Sequence, residues 1–206
     1  KKGKGNTKVT FKSSFGKRNP IRLPELLRRE DYIKYKNESR ARAGQTPLPD
    51  WDMYTADTDW IKEFYGGSGL IKTYDFSVSK GDEKFNFYFS AGYDDEEGIL
   101  IDNTYKRYSS RLNSNIKLTR WFTIGENLLI SKVKENPIDN FNENYTGAIP
   151  FRSIPIMPVY DKNNPYGGWG TAPVYFQGPN PVASQYQQHE IRDYNRIDGN
   201  IFGELT

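Results

Sequence analysis

The chain contains no cysteine, which excludes a disulfide scaffold, a thiolate metal site and a cysteine nucleophile. It has one histidine, His189, so a histidine-based zinc centre would need carboxylates to complete it. No stretch approaches the roughly 18 apolar residues of a membrane-spanning helix. No secretory leader is visible, which fits a processed chain or an internal piece of a longer one. Neither sign of charge dominates: 29 basic and 26 acidic residues give +3 over 206 residues. They are interspersed except at Lys1-Lys2-Gly3-Lys4, so nucleic-acid binding is poorly supported. Apolar residues are scarce, at 35%.

Aromatic residues, by contrast, are abundant: 15 Tyr, 12 Phe and 4 Trp. Disordered chains are poor in aromatics, so this composition argues against simple disorder. A chain that is polar on average yet rich in rings suits a wall wetted on one face and apolar on the other.

The clearest pattern is a period of two. In 84–94, Phe85, Phe87, Phe89, Ala91 and Tyr93 share one face, and Asn86, Tyr88, Ser90 and Gly92 share the other. In 105–118, Arg107, Ser109, Arg111, Asn113, Asn115 and Lys117 oppose Tyr108, Leu112, Ile116 and Leu118. A helix would mix the two sets, because its period is about 3.6. Segments 8–16, 71–79, 122–134 and 191–205 alternate in the same way. Soluble strands average about 5–6 residues, whereas membrane-barrel strands need about 9–11 that alternate apolar-out and polar-in.

The connections alternate too. Short turns lie at 79–83 and 119–121, and long connections at 17–70, 94–104 and 135–190. Outer-membrane barrels join strands by short periplasmic turns and long extracellular loops, which gives this rhythm. The residues therefore predict an all-β fold: an antiparallel up-and-down transmembrane β-barrel segment of about six strands. Arg107 and Arg111 fall on the lumen-facing side. The first long loop is expected to hold a short helix, starting at Pro24-Glu25-Leu26-Leu27, continuing through Arg29–Ala43 and stopping at Gly44. The third carries eight of the 12 prolines, from Pro137 to Pro181, and reads as a built loop.

In this order and spacing the motifs resemble the SusC-like class of TonB-dependent outer-membrane transporters. Lys1-Lys2-Gly3-Lys4 resembles the end of that family's plug. Leu26-Leu27, Asp31-Tyr32 and Asn37-Glu38 resemble its first-loop helix, and Asp57-Thr58-Asp59-Trp60 a signature of the same loop. Tyr74-Asp75-Phe76-Ser77-Val78-Ser79, Tyr88-Phe89-Ser90-Ala91-Gly92-Tyr93, Lys106-Arg107-Tyr108-Ser109-Ser110-Arg111-Leu112-Asn113 and Ile124-Gly125-Glu126-Asn127-Leu128 resemble its strands. Ile154-Pro155, Val159-Tyr160-Asp161 and Asn180-Pro181-Val182-Ala183 resemble its third loop. Lys80 departs from the pattern where a second glycine is common.

The resemblance implies that 1–6 end the plug and 7–206 begin a barrel of about 22 strands. It also implies import of glycans or peptides across the outer membrane, a SusD-like surface lipoprotein as lid, and contact with the TonB complex through a part N-terminal to this segment. Outer-membrane lipid and an oligosaccharide or peptide substrate are the further partners. No cofactor, metal or catalytic residue is implied. A different class of function stays open: a soluble extracellular β-sandwich that binds carbohydrate, with the Phe85–Phe87–Phe89 face buried against a second sheet.

Trp51, Tyr166 and Trp169 lie in the long loops and are the candidates for touching substrate or lid. Loop packing is the plainer alternative for them, and the signature residue Trp60 reads as structural. Arg107 and Arg111 can guide an anionic solute or pair with acidic plug residues. Asp94-Asp95-Glu96-Glu97 lacks the spacing of a calcium loop and reads as a solvated turn. His189 has no nucleophile indicated within reach.

Overall fold

A computed structural model describes residues 5–137, 149–171, 173, 176, 178–187 and 190–205. His189 and the first four residues lie outside that set. The described strands are β1 (Gly5–Arg18), β2 (Gly69–Gly81), β3 (Phe85–Glu97), β4 (Thr104–Lys117), β5 (Phe122–Asn136) and β6 (Arg192–Leu205). They form one six-stranded sheet in sequence order, each neighbour antiparallel to the next. Three helices accompany it: α1 (Arg29–Arg42), α2 (Trp60–Tyr65) and α3 (Pro181–Gln187). One register shift, between Gly5 and Lys8, interrupts otherwise continuous pairing.

Because the pleat alternates, continuous register carries each side chain's face from strand to strand. The rung Phe11–Phe76–Ala91–Ser110–Ile130–Ile197 crosses all six strands on one face. The next, Lys12–Asp75–Gly92–Ser109–Ser131–Arg196, crosses on the other. The apolar face has no second layer over it among the described residues. Val9, Phe11, Phe76, Ile116, Ile130 and Ile201 are all exposed.

The strands run 13–15 residues; β1, β2, β3 and β5 extend past the predicted segments, whereas β4 and β6 lie within a residue of them. Gly5 and Asn6 join β1 rather than a linker. Asp94–Glu97 belongs to β3 rather than to a solvated turn. The reason is cross-strand charge. Asp94 meets Arg107 at 2.9 Å, Asp95 meets Lys106 at 3.9 Å, and Glu96 reaches Arg18 at 3.1 Å. Three of the four acids thus have a basic partner, which offsets the repulsion that extension would otherwise bring.

The buried hydrophobic residues lie in the long connections. Trp60 packs with Ile154, Ile156, Met157 and Val182, and Ile61, Phe64 and Ala183 are buried as well. The cap they form also takes in the second connection, where the Ile101 amide donates to the Phe64 carbonyl at 3.2 Å.

The α1 helix starts at Arg29, not Pro24. Its first amide donates to Asp57 Oδ1 at 2.8 Å, so a carboxylate far along the chain caps it in place of a local residue. Gly44, at φ 68°, ends it as expected, with the Gln45 amide returning to the Arg40 carbonyl.

At the other end the turns are tight. Asp82 Oδ1 accepts from the Lys84 and Phe85 amides, both at 2.8 Å, while the Asp82 amide donates to the Phe85 carbonyl. The strand therefore runs through Gly81, and the turn sits at 82–84, slightly beyond the predicted 79–83. These amides hold the Asp82 carboxyl below its ordinary value, and the charges of Lys80 and Lys84 add to the effect. The folded-state value is depressed, so the stabilisation is present above the ordinary carboxylate range. It is lost as pH falls through the depressed value. Carbon-detected NMR of the Asp82 carboxyl should give a midpoint below 3.8, returning toward 3.8 on unfolding.

Candidate binding surfaces

Two surfaces gather polar and aromatic groups in a form that can hold a ligand. The first is the wet face of the sheet. Arg111, Asn113, Asn127, Leu129, Asp198 and Asn200 line a groove of about 490 Å³ across β4, β5 and β6. Register places them there: Arg111 opposes Leu129, which opposes Asp198. Asn127 donates to Asn200 at 2.9 Å and fixes the floor. Among the described residues Arg111 makes no ion pair, whereas Arg107 is bound to Asp94. The two candidate arginines therefore differ. Arg107 braces two strands, and Arg111 stands exposed over the groove.

Gly125 shapes the same face. The ring of Phe202, its register partner on β6, lies across it. A Cβ there would sit 2.5 Å from Phe202 Cζ and from Asn115 Oδ1. Only glycine leaves room for that ring, so the same face carries an aromatic packed directly over a strand.

The second surface is the tip of the cap. Tyr160 and Trp169 form an antiparallel bridge that closes a compact turn. Inside it Asp161 Oδ1 accepts from the Asn163 amide. Asn164 accepts from the Tyr166 amide and donates to the Trp169 carbonyl. Gly167 and Gly168 take positive φ to complete the reversal. Trp169 stacks between Tyr160, 5.1 Å away, and Tyr186, 5.9 Å away. Tyr160 is 62% exposed and Tyr166, at the tip, 86%. The turn thus presents a short aromatic stack whose rings are held in place before any ligand arrives.

Trp51 is not part of that stack. Its Nε1 donates to Asn37 Oδ1 at 3.0 Å, its carbonyl accepts from Arg29, and its ring meets Tyr32 edge-on. It does border a cleft of about 330 Å³ between α1 and the third connection, with Tyr32, Arg40, Ile156 and Phe176. Burial there raises the Tyr32 phenol. Tyr160 and Tyr186 went unmarked by sequence reasoning, because stacking across 26 positions leaves no local pattern.

The segment Asp57–Trp60 joins the parts of the cap. Arg28 bridges Asp57 and Asp59, at 3.0 and 3.3 Å. Thr58 donates from its amide to the Pro155 carbonyl and from its hydroxyl to the Met157 carbonyl. Asp59 caps α2 through the Lys62 amide, and Trp60 Nε1 donates to the Ile154 carbonyl at 2.8 Å. Four consecutive residues therefore fasten α1, α2 and the third connection together. Among the described residues no cluster of His, Cys, Asp and Glu could hold a metal ion.

No protein-family model matches the chain. Two curated relatives from Formosa agariphila do. TonB-dependent receptor P26 is 27% identical over 163 residues, 79% of this chain and 16% of its own length. TonB-dependent receptor P3 is 22% identical over 148 residues, 69% of this chain and 14% of its own length. Among solved structures, the RagAB peptide importer in its closed-closed state superposes with a TM-score of 0.70. That match is 19% identical and covers all of this chain and 27% of the other. The findings support a segment of a SusC/RagA-like TonB-dependent transporter. A second RagAB peptide transporter structure matches with a TM-score of 0.55 at 22% identity, over 66% of this chain and 19% of that one. The chain thus spans about a sixth of the length of the curated relatives it matches, and its six-stranded up-and-down sheet matches a RagA-like stretch of barrel.

Trp60 is 1% exposed, so truncating it opens a cavity in the cap and frees the Ile154 carbonyl. Trp60→Ala should cost the cap about 3–5 kcal/mol. Trp60→Phe should cost about 1–3 kcal/mol, mainly from the unpaired carbonyl. Limited proteolysis of the intact barrel reads both: cleavage between 45 and 60 should quicken while the strands stay protected.

Proposed function

We propose that this chain contributes wall and extracellular cap to a TonB-dependent transporter of the Gram-negative outer membrane. The transporter imports glycans or peptides beneath a SusD-like lipoprotein. The observation that carries this reading is the uncovered apolar face on strands of 13–15 residues, with the buried core displaced into the connections at one end. In water a face of that extent is rarely tolerated in a monomer; in a bilayer it is the lipid contact. The soluble sandwich needs a second sheet over Phe85, Phe87 and Phe89, and the described strands form a single sheet.

In this reading the residues before β1 close the plug and the rest is barrel. The wet face lines the lumen, with Arg107 bracing the wall and Arg111 free to meet a solute or an acid on the plug. Tyr166 and Trp169, joined by Tyr160 and Tyr186, face the substrate or the lid, while Trp51 holds α1 in place. Energy enters through TonB at a part N-terminal to this segment. The relatives are named as receptors, not enzymes, and transport requires no covalent step from these residues.

Orientation is tested with single cysteines in the intact barrel and a membrane-impermeant maleimide on whole cells. Met53→Cys and Tyr166→Cys should label, whereas Glu83→Cys and Thr119→Cys should label only after the outer membrane is breached. The reverse pattern sinks the topology.

Phe89 lies mid-way along the apolar run of β3. Phe89→Arg should destabilise the folded barrel by about 2–4 kcal/mol. Tyr88→Arg, on the wet face, should cost far less. Urea titration in phospholipid vesicles separates the two.

A further inference from the structure

We propose that Lys106, Lys132 and Lys134, at the loop end of the apolar face, bind the phosphate of an anionic glycolipid in the outer leaflet. The inference rests on the reading that this face meets lipid.

The apolar face ends toward the long connections in two successive rungs. The first is aromatic: Tyr74, Tyr93 and Tyr108 stand opposite one another on β2, β3 and β4, with ring centroids 6.3 and 4.8 Å apart. On β5 the same rung holds Lys132. The rung beyond it runs Lys72, Asp95, Lys106, Lys134 and Asp193. Tyrosine rings settle at the headgroup level of a bilayer, so the lysines lie among the headgroups.

The arrangement of charge inside this patch is unusual. Lys106 and Lys134 are direct register partners on the same face, and like charges so placed destabilise a sheet. Lys132 lies two residues from Lys134 and so shares its face. The carboxylates that pair with these lysines come from the flanking strands β3 and β6. Asp95 approaches Lys106 from β3, at a long 3.9 Å, and Asp193 approaches Lys132 from β6, at 3.2 Å. Among the described residues Lys134 makes no ion pair. The register therefore gathers three lysines at neighbouring positions of one face, one of them without an ion pair among the described residues. A phosphate suits such a cluster, since lysine binds phosphate as a point charge and several can share one group. The Tyr93–Tyr108 pair just below offers ring faces to the sugar and upper acyl chain.

The far end of the same face has no counterpart. It closes on Phe85, Ile116, Ile124 and Leu205, and Lys80 is its one lysine among the described strand residues. Positive charge on this face is thus concentrated at the end that carries the loops, the side where the outer leaflet lies. A soluble anion would gain nothing from a site turned away from the lumen, which is why the occupant is a lipid headgroup.

The test uses the full-length barrel that contains this segment, purified in nonionic detergent and examined by native mass spectrometry. Bisphosphorylated lipid A and its dephosphorylated form are added together. Three lysines near one phosphate should favour the phosphorylated lipid by on the order of tenfold. Exchanging all three residues for Gln should remove the preference, and exchanging them for Arg should keep it. Lys8→Gln with Lys12→Gln, on the wet face, should change nothing. If the triple Gln variant fails the heat-shift test of barrel folding, Lys134→Gln alone should still lower the preference. Equal retention of both lipids by the unaltered barrel overturns the site, as does a preference that survives the folded Gln variants. Loss of the preference in millimolar inorganic phosphate, with phosphate adducts in place of lipid, also overturns the lipid assignment. A barrel that never fractionates with the outer membrane fails the functional reading instead, so the two failures are distinguishable.

Discussion

Six strands paired without slippage over almost their whole length impose one constraint on everything else. A strand's side chains alternate faces, and a slip of a single residue would turn a strand's entire apolar set to the wrong side. Continuous register across five strand pairs therefore separates the sheet into an oily face and a polar one, although the composition is polar on average. The same register brings Asp94 to Arg107 and Asp95 to Lys106, and so decides how far the strands extend. It also sets Phe202 over Gly125 and collects Arg111, Asp198 and Asn200 around one groove.

Since no second layer covers the sheet among the described residues, the hydrophobic core had to form elsewhere. It forms in the connections, from Trp60, Phe64, Ile156, Met157 and Val182, and its hydrogen bonds are as specific as its packing. The segment thus has two kinds of order. The wall is held by its backbone ladders. The cap is held by buried side chains, with Asp57–Trp60 fastening them, and it presents the aromatic stack of Tyr160, Trp169 and Tyr186.

What was legible in the sequence follows from how local each cause is. The period of two is a property of neighbouring residues, so the strands and their two faces could be assigned from Phe85, Phe87 and Phe89 or from Arg107 and Arg111. Strand ends were misplaced because they depend on partners: nothing next to Asp94 reveals Arg107. The start of α1 was misplaced for the same reason, since its capping carboxylate, Asp57, lies beyond the helix and a 3₁₀ turn. Of the candidate aromatics, Tyr166 and Trp169 share one compact turn, while Trp51 serves α1. The spacing of tryptophans in a proline-rich sequence carries no information about which of them stack.

Pairing every strand with its sequence neighbour also has a consequence for how the segment forms. The turn at 82–84 and the one at 118–121 close β2–β3 and β4–β5 over a few residues, whereas β1–β2 and β5–β6 must each close a connection of some fifty. The entropy of closure rises with the logarithm of length, so the two tight hairpins are the cheapest first contacts. The outer pair, β1 and β6, joins later, and the fastening of Trp60 to Ile154 comes with it. Assembly would then proceed from the middle of the segment outward, with the cap locking last, and the two strands left at its borders would be the ones that receive their neighbours in the growing wall.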